Sequence, residues 1–221
     1  MTQAKRAFVF DMDGTIVDNM DFHTRSWVEL FRRLDVQIDP DEFFRTTAGR
    51  QGKEILRAYL GEHLSDDKVA AMNHEKEEIY REMYEPHRKE VEGFSAFLSR
   101  AKERGVALAV ATSGPPGNIA FVLDGLALRQ HFDAVVGAAD VKRGKPHPDV
   151  FLAAADKVGV QPADCIVFED APLGVEAAKN AGMPAVVLST TLDAAAFAAY
   201  DNVIRIAPDF TELSVDDLLA A

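Results

Sequence analysis

Two pairs of carboxylates stand out in this chain: Asp11 with Asp13, and Glu169 with Asp170. Each pair follows a short apolar run, Ala7-Phe8-Val9-Phe10 in one case and Cys165-Ile166-Val167-Phe168 in the other. Carboxylates this close repel one another unless a cation or a shared proton lies between them. If both pairs close strands of one sheet, they lie at the same end of it, where ligands gather in open α/β sheets. Three or four carboxylates held there need compensation worth about several kcal/mol per buried charge. A hard, oxygen-seeking divalent cation supplies it, and Mg²⁺ is the usual choice. The ordinary alternatives are an Asp13-Gly14 turn and a helix N-cap at Asp170.

Two further blocks carry polar groups suited to the same place. Val110-Ala111-Thr112-Ser113-Gly114 ends an apolar run in hydroxyls, and Pro115, Pro116 and Gly117 lead into a helix. Hydroxyls and free amides at such a start bind phosphate oxygens, although Thr112 could simply cap the helix. In Lys142-Arg143-Gly144-Lys145-Pro146-His147-Pro148 the two prolines restrict the backbone, so Lys145 is expected to be held in place. Lys142 and Arg143 read as solvated. His147 reads as a helix-start or surface residue, because no histidine or cysteine stands at ligand spacing from it. A nucleophilic carboxylate, a second carboxylate able to shuttle protons, a metal, a lysine and a hydroxyl are the parts needed for phosphoryl transfer through an aspartyl-phosphate.

The elements that must position these residues follow from hydrophobic patterning. Apolar, β-rich runs recur at 7–10, 106–111, 134–136, 166–168, 185–188 and 203–206, with helical spacing between most of them. Helices are expected over 94–104, 150–158 and 175–181, each followed by a glycine. That alternation predicts an α/β fold: a doubly wound, Rossmann-like parallel sheet covered on both faces. Residues 18–86 break the rhythm with helical pattern alone. Phe22, Trp27, Leu30, Phe31 and Leu34 form one apolar face, Ile55, Leu56, Tyr59 and Leu60 another, and 66–83 is long, charged and thinly apolar. The expected domains are therefore a core of 1–17 and 87–221 and an all-helical cap of 18–86, acting as a lid. The alanine-rich stretch 194–199 is expected to be a plain helix.

Composition limits the function classes. Of 221 residues, 48% are hydrophobic and 27% charged, and 36 acidic against 24 basic side chains give a net charge of −12. That sign argues against nucleic acid and anionic membranes as partners. The single Cys165 cannot form an internal disulfide and reads as a core residue. With no apolar leader or membrane-length segment, the expectation is a cytoplasmic protein acting as a monomer.

Taken in order, DMDGT (11–15), the run ending at Thr112, GKPHP (144–148) and FEDAPLG (168–174) resemble the haloacid dehalogenase superfamily over nearly the whole chain. The resemblance implies Asp11 as nucleophile and Asp13 as general acid/base, with Thr112, Ser113 and Lys145 on the phosphoryl group. It implies Mg²⁺ bound by Asp11, the Asp13 backbone carbonyl and Asp170, with Glu169 beside them. The helical segment is similar to the small cap of the subgroup containing β-phosphoglucomutase, sugar phosphatases and some pyrophosphatases. His23 and Lys76 stand where β-phosphoglucomutases carry a histidine and a cap lysine; the alternative for each is a solvated helix face. Gly52 falls where those mutases have a substrate-phosphate arginine, with Arg50 and Lys53 nearby as substitutes, and Asn19 falls where they have threonine. Gly49-Arg50-Gln51-Gly52 is more similar to phosphatase and pyrophosphatase members. The expected activity is that of a Mg²⁺-dependent phosphatase (a phosphoric monoester hydrolase) acting on a small phosphorylated metabolite, a sugar phosphate. The alternatives are a β-phosphoglucomutase-like isomerase, a pyrophosphatase and a non-catalytic phosphate-binding module. The presence of Asp13 argues against a dehalogenase.

Overall fold

The computed structural model describes residues 6–47 and 50–220; Ala48 and Gly49 of the predicted substrate loop lie outside them. Contacts divide the chain into two compact units, Asn19–Arg88 and the remainder on either side of it.

The larger unit is built on six parallel strands. They are β1 (Ala7–Phe10), β2 (Ala107–Ala111), β3 (Ala134–Val136), β4 (Cys165–Glu169), β5 (Ala185–Leu188) and β6 (Val203–Ala207), ordered β3-β2-β1-β4-β5-β6. The chain first builds outward from β1 through β2 to β3, then returns to the other side of β1 with β4. That reversal puts a ligand crevice at the carboxyl ends of β1 and β4. In register, Phe10 sits opposite Val110 on one side and Phe168 on the other, so Asp11, Thr112 and Glu169 emerge at nearly one level.

Side-chain alternation sorts the two faces. Ala7 and Val9 of β1, with Cys165 and Val167 of β4, pack against α7 (Asp149–Val158) and α8 (Pro172–Asn180) in an aliphatic cluster around Phe151. Phe8, Phe10 and Phe168 point the other way, against Phe94 and Phe97 of α5 (Phe94–Glu103), Phe132 and Phe210. The Phe10 and Phe168 rings stack at 4.6 Å. Because strand side chains alternate with period two, Asp11 and Glu169 inherit the aliphatic, α7-facing side. Cys165 is fully buried there.

Two expectations need correction. Residues 194–199 form only one 3₁₀ turn, Ala194–Phe197, in which Phe197 is buried and the alanines are exposed. Helix propensity cannot meet the nucleation cost of so short a segment, which must also reach β6 within a few residues. The helix after Thr112 is a single turn, α6 (Pro116–Ile119), passing into a π-helical turn at Ala120–Asp124.

The second unit is all helical: α1 (Met20–Arg33), α2 (Pro40–Thr47), α3 (Gly52–Leu60) and α4 (Asp66–Tyr84). Trp27, Leu30, Phe31, Phe43, Ile55, Leu56, Val69 and Ile79 form its core, with Leu34 and Leu60 packed against it. Phe22 leaves that face and packs on Tyr84, ring centres 4.9 Å apart. The chain closes with α9 (Val215–Ala220), after β6. No described helix is long and apolar enough to cross a membrane.

Candidate active site

The carboxyl ends of β1 and β4 deliver three buried carboxylates, Asp11, Glu169 and Asp170, each with an oxygen within 4.8 Å of the others. Lys145, only 6% exposed, enters this cluster from the loop before α7. Its ammonium donates to Asp11 Oδ1 at 2.5 Å and to Glu169 Oε1 at 2.6 Å, and lies 4.9 Å from the centre of the Phe151 ring. The Lys145–Pro146 peptide bond is cis. Lys142, Arg143 and His147 are exposed, with Arg143 paired to Asp149 at 2.6 Å.

The electrostatics follow from burial and charge balance. Burial raises the Asp11 carboxyl foremost; Lys145 opposes that and Glu169 and Asp13 reinforce it, leaving it at about 7. Burial, then the charges of Glu169 and Asp11, hold Asp170 well above the usual carboxylate range. For Lys145, burial favours the neutral amine, but the charges and hydrogen bonds of Asp11 and Glu169 outweigh it and raise the ammonium's pKa. One ammonium thus faces three carboxylates, a shortfall equal to the charge of a divalent cation.

The donor set fits a hard metal ion. Glu169 is already committed, with Oε1 to Lys145 and Oε2 accepting from the backbone N–H groups of Asp170 (2.8 Å) and Ala171 (2.9 Å). Gly174 makes room for it, since a Cβ there would overlap the Glu169 carboxylate. Asp170 is not the N-cap of α8: that position is Ala171, with no side-chain cap. Instead the Asp170 carboxylate is buried beside those of Asp11 and Glu169 and takes no hydrogen bond from Lys145, the costly condition that a bound cation relieves. Asp11 and Asp170 therefore hold the spare oxygens.

Around this centre the DMDGT loop turns on Gly14, whose φ of +82° disfavours any side chain. A Cβ there would also meet Asp170. Backbone N–H groups of Ile16 and Val17 donate to Met12 O, folding the loop back on itself. Asp13 is half-buried and lies near Gly114, at the end of β2. Thr112 is buried, and its hydroxyl accepts from Gly114 N–H at 2.9 Å. Its acceptor side is thus used in a local turn, not in capping α6, whose N-cap is Pro115. Ser113 is half-buried beside it.

Sequence reasoning passed over Thr190 and Thr191. Thr190 Oγ1 donates to Gly14 O, and Thr191 Oγ1 is buried next to the Gly14 Cα. The signal was available: Leu188-Ser189-Thr190-Thr191 ends a strand in hydroxyls, as Ala111-Thr112-Ser113 does.

In the helical unit, His23 and Lys76 are brought together, whereas Arg50 and Lys53 stand exposed at the start of α3. Lys76 is 2% exposed, so the solvated-face reading of it fails. Its ammonium lies 2.7 Å from His23 Nδ1 and 3.2 Å from Glu77 Oε1, over the rings of Trp27 (5.2 Å) and Tyr80 (5.5 Å). Since lysine only donates, Nδ1 is assigned as the acceptor. His23 stacks on Tyr80 at 3.8 Å, and Tyr80 accepts a hydrogen bond from Asn19 at 2.6 Å. The side-chain space at Gly52 is filled by Asn73.

Comparison with known proteins agrees with this geometry. A family model described as haloacid dehalogenase-like hydrolase matches residues 5–182. The chain is 34% identical to validoxylamine A 7'-phosphate phosphatase of Streptomyces hygroscopicus subsp. limoneus, over 93% of this chain and 94% of that protein. It is 36% identical to fructose-1-phosphate phosphatase YqaB of Escherichia coli (84% and 97%) and 31% identical to β-phosphoglucomutase of Bacillus subtilis (82% of each). Among solved structures, a family IA, variant 3 hydrolase of Entamoeba histolytica superposes with a TM-score of 0.89 at 25% identity, covering 97% of this chain and 98% of that one.

Proposed function

The chain belongs to the haloacid dehalogenase-like hydrolases, and from that premise we propose that it is a Mg²⁺-dependent phosphatase of a small phosphorylated metabolite, with sugar phosphates as the substrate class. The observation that carries the reading is Lys145, buried between Asp11 and Glu169 at the ends of two adjacent strands. The likeness to a fructose-1-phosphate phosphatase and a validoxylamine phosphate phosphatase supports the substrate class.

Asp11 attacks phosphorus, and the bond from phosphorus to the leaving oxygen breaks as Asp13 gives that oxygen a proton. The product of this step is an aspartyl-phosphate. Asp13 then takes a proton from water as the water oxygen attacks phosphorus, the bond from phosphorus to the Asp11 oxygen breaks, and phosphate leaves with Asp11 restored. Thr112, Ser113 and Lys145 hold the phosphoryl oxygens, and Glu169 holds Lys145. Asp11, Asp170 and the Asp13 carbonyl would hold Mg²⁺, which when bound would neutralise charge on the transferring group. Residues 18–86 serve as the cap that selects substrate, with His23 and Lys76 as its foremost contacts.

A phosphomutase using the same core is the second reading, favoured by the buried Lys76 ammonium and the likeness to the Bacillus enzyme. A phosphate-release panel with Mg²⁺ decides between them. Net release of phosphate from sugar monophosphates is expected; isomerisation primed by a bisphosphate, without net release, would establish the mutase. Asp11→Asn is expected to lower turnover by at least ~10³-fold with folding intact, and full activity in that variant would end the covalent mechanism.

A further inference from the structure

Two buried oxygens lie beside Gly14, Asp170 Oδ2 and Thr191 Oγ1; neither makes a hydrogen bond of good geometry, yet the Thr191 hydroxyl is near enough to draw the Asp170 carboxyl down against the effect of burial. Both crowd the same Cα: a Cβ on Gly14 would overlap the Asp170 carboxylate and lie 2.8 Å from Thr191 Oγ1. The segment carrying Thr191 is fastened on two sides. Thr190 Oγ1 donates to Gly14 O, and Ser189 N–H donates to Ala207 O at 2.9 Å at the end of β6. One of the two oxygens belongs to a carboxylate, which accepts when ionised, and the other to a hydroxyl able to donate. Leaving both unmade costs on each side, and the Thr191 hydroxyl is the donor that stands within reach of the carboxylate.

We propose that Thr191 is a positioning residue: its hydroxyl donates to Asp170 Oδ2 and fixes the carboxylate so that its other oxygen faces Asp11. The proposal rests on the reading of Asp170 as a Mg²⁺ ligand. No other described side chain hydrogen-bonds the Asp170 carboxylate, whereas Glu169, its neighbour, accepts from Lys145 and two amides. A ligand whose rotamer is held by an outer hydrogen bond binds its metal more tightly, typically by 10–100-fold.

The test measures Mg²⁺ dissociation constants by calorimetry on metal-stripped protein, alongside the melting temperature without metal. Thr191→Val keeps the shape and removes the hydroxyl. It is expected to weaken Mg²⁺ binding about tenfold, while metal-free melting stays near wild type. Thr191→Ser restores binding to within about twofold, and Thr191→Ala replaces the valine variant should that one misfold. Wild-type affinity in Thr191→Val, or a loss that serine does not restore, overturns the proposal. Asp170→Ala separates the two readings: if it binds Mg²⁺ as wild type does, the metal reading itself fails. If it loses Mg²⁺ while Thr191→Val does not, only the role of Thr191 fails.

Discussion

The sheet unit and the helical unit each bury one lysine, and they hold it by different means. Lys145 meets two carboxylates, from Asp11 and Glu169, delivered by adjacent strands whose register is set by the backbone ladder. Lys76 is held by side chains alone: His23 Nδ1 from α1, its chain neighbour Glu77, and the rings of Trp27 and Tyr80. The first arrangement is over-determined, because no partner can move without breaking the sheet edge that carries it. The second depends on rotamers in a small helical unit, and partners of that kind can be exchanged one at a time. A rigid lysine suits chemistry common to many substrates, and an adaptable one suits selecting among them.

The largest test of that contrast exchanges each lysine for methionine. Lys145→Met leaves three buried carboxylates with no ammonium among them, a change worth about 3–5 kcal/mol of stability, and abolishes turnover. Lys76→Met removes a charge that lies against the Glu77 carboxylate and the His23 ring. It should leave kcat within about threefold while KM rises, as expected for a group that binds without taking part in bond breaking. Equal losses of kcat in the two variants would erase the contrast.

Two crowded glycines, one from each unit, sharpen it at smaller scale. At Gly174 a Cβ meets Glu169, which cannot retreat because two amides and Lys145 grip it, so Gly174→Ala should cost about 1–3 kcal/mol and most activity. At Gly52 the Cβ meets the end of the Asn73 side chain, which can swing aside, and alanine also restrains the unfolded chain. Gly52→Ala should therefore lie within about 1 kcal/mol of wild type. Urea melts of both proteins read the difference.

The smallest effect concerns pH and belongs to the sheet unit. The Asp11 carboxyl is raised from 3.8 to about 7, chiefly by burial, so its proton binds the folded chain more tightly than the unfolded one. Stability from that proton is full below about 3.8 and lost as pH rises through about 7. Metal-stripped protein should then melt lower at pH 8 than at pH 5.5, and added Mg²⁺ should raise the melting temperature more at pH 8. Equal Mg²⁺ shifts at the two pH values would show that the carboxylate cluster does not compete for metal and proton.

Legibility in the sequence followed the same division. The six strands stand within a residue or two of where the apolar β-rich runs put them; β1, β2, β4 and β5 are buried on both faces and must be apolar throughout, whereas the edge strand β6 is largely exposed and carries Arg205. The helical unit was readable as amphipathic faces, but α2 was not separable, and the burial of Lys76 and Glu77 could not be read from the charged stretch around them. A lysine on a solvated face and one under an aromatic pair have the same local sequence. The alanine run at 194–199 shows the converse error, in which strong propensity met a segment too short to use it.

The chain's sequence by itself determined the chemistry on offer: acidic pairs, hydroxyls and a proline-bracketed lysine, each following or preceding an apolar run. Those are local properties, set by residue type and spacing. Only the tertiary structure decided which groups share one charge balance. Glu169 is taken up by Lys145 and two amides, Asp170 keeps an oxygen to spare, and Thr191 stands beside it. The physical reason is that the order β3-β2-β1-β4-β5-β6 brings residues 11, 112, 145, 170 and 191 to the carboxyl end of the sheet, and no local pattern encodes an interaction across such distances in the chain.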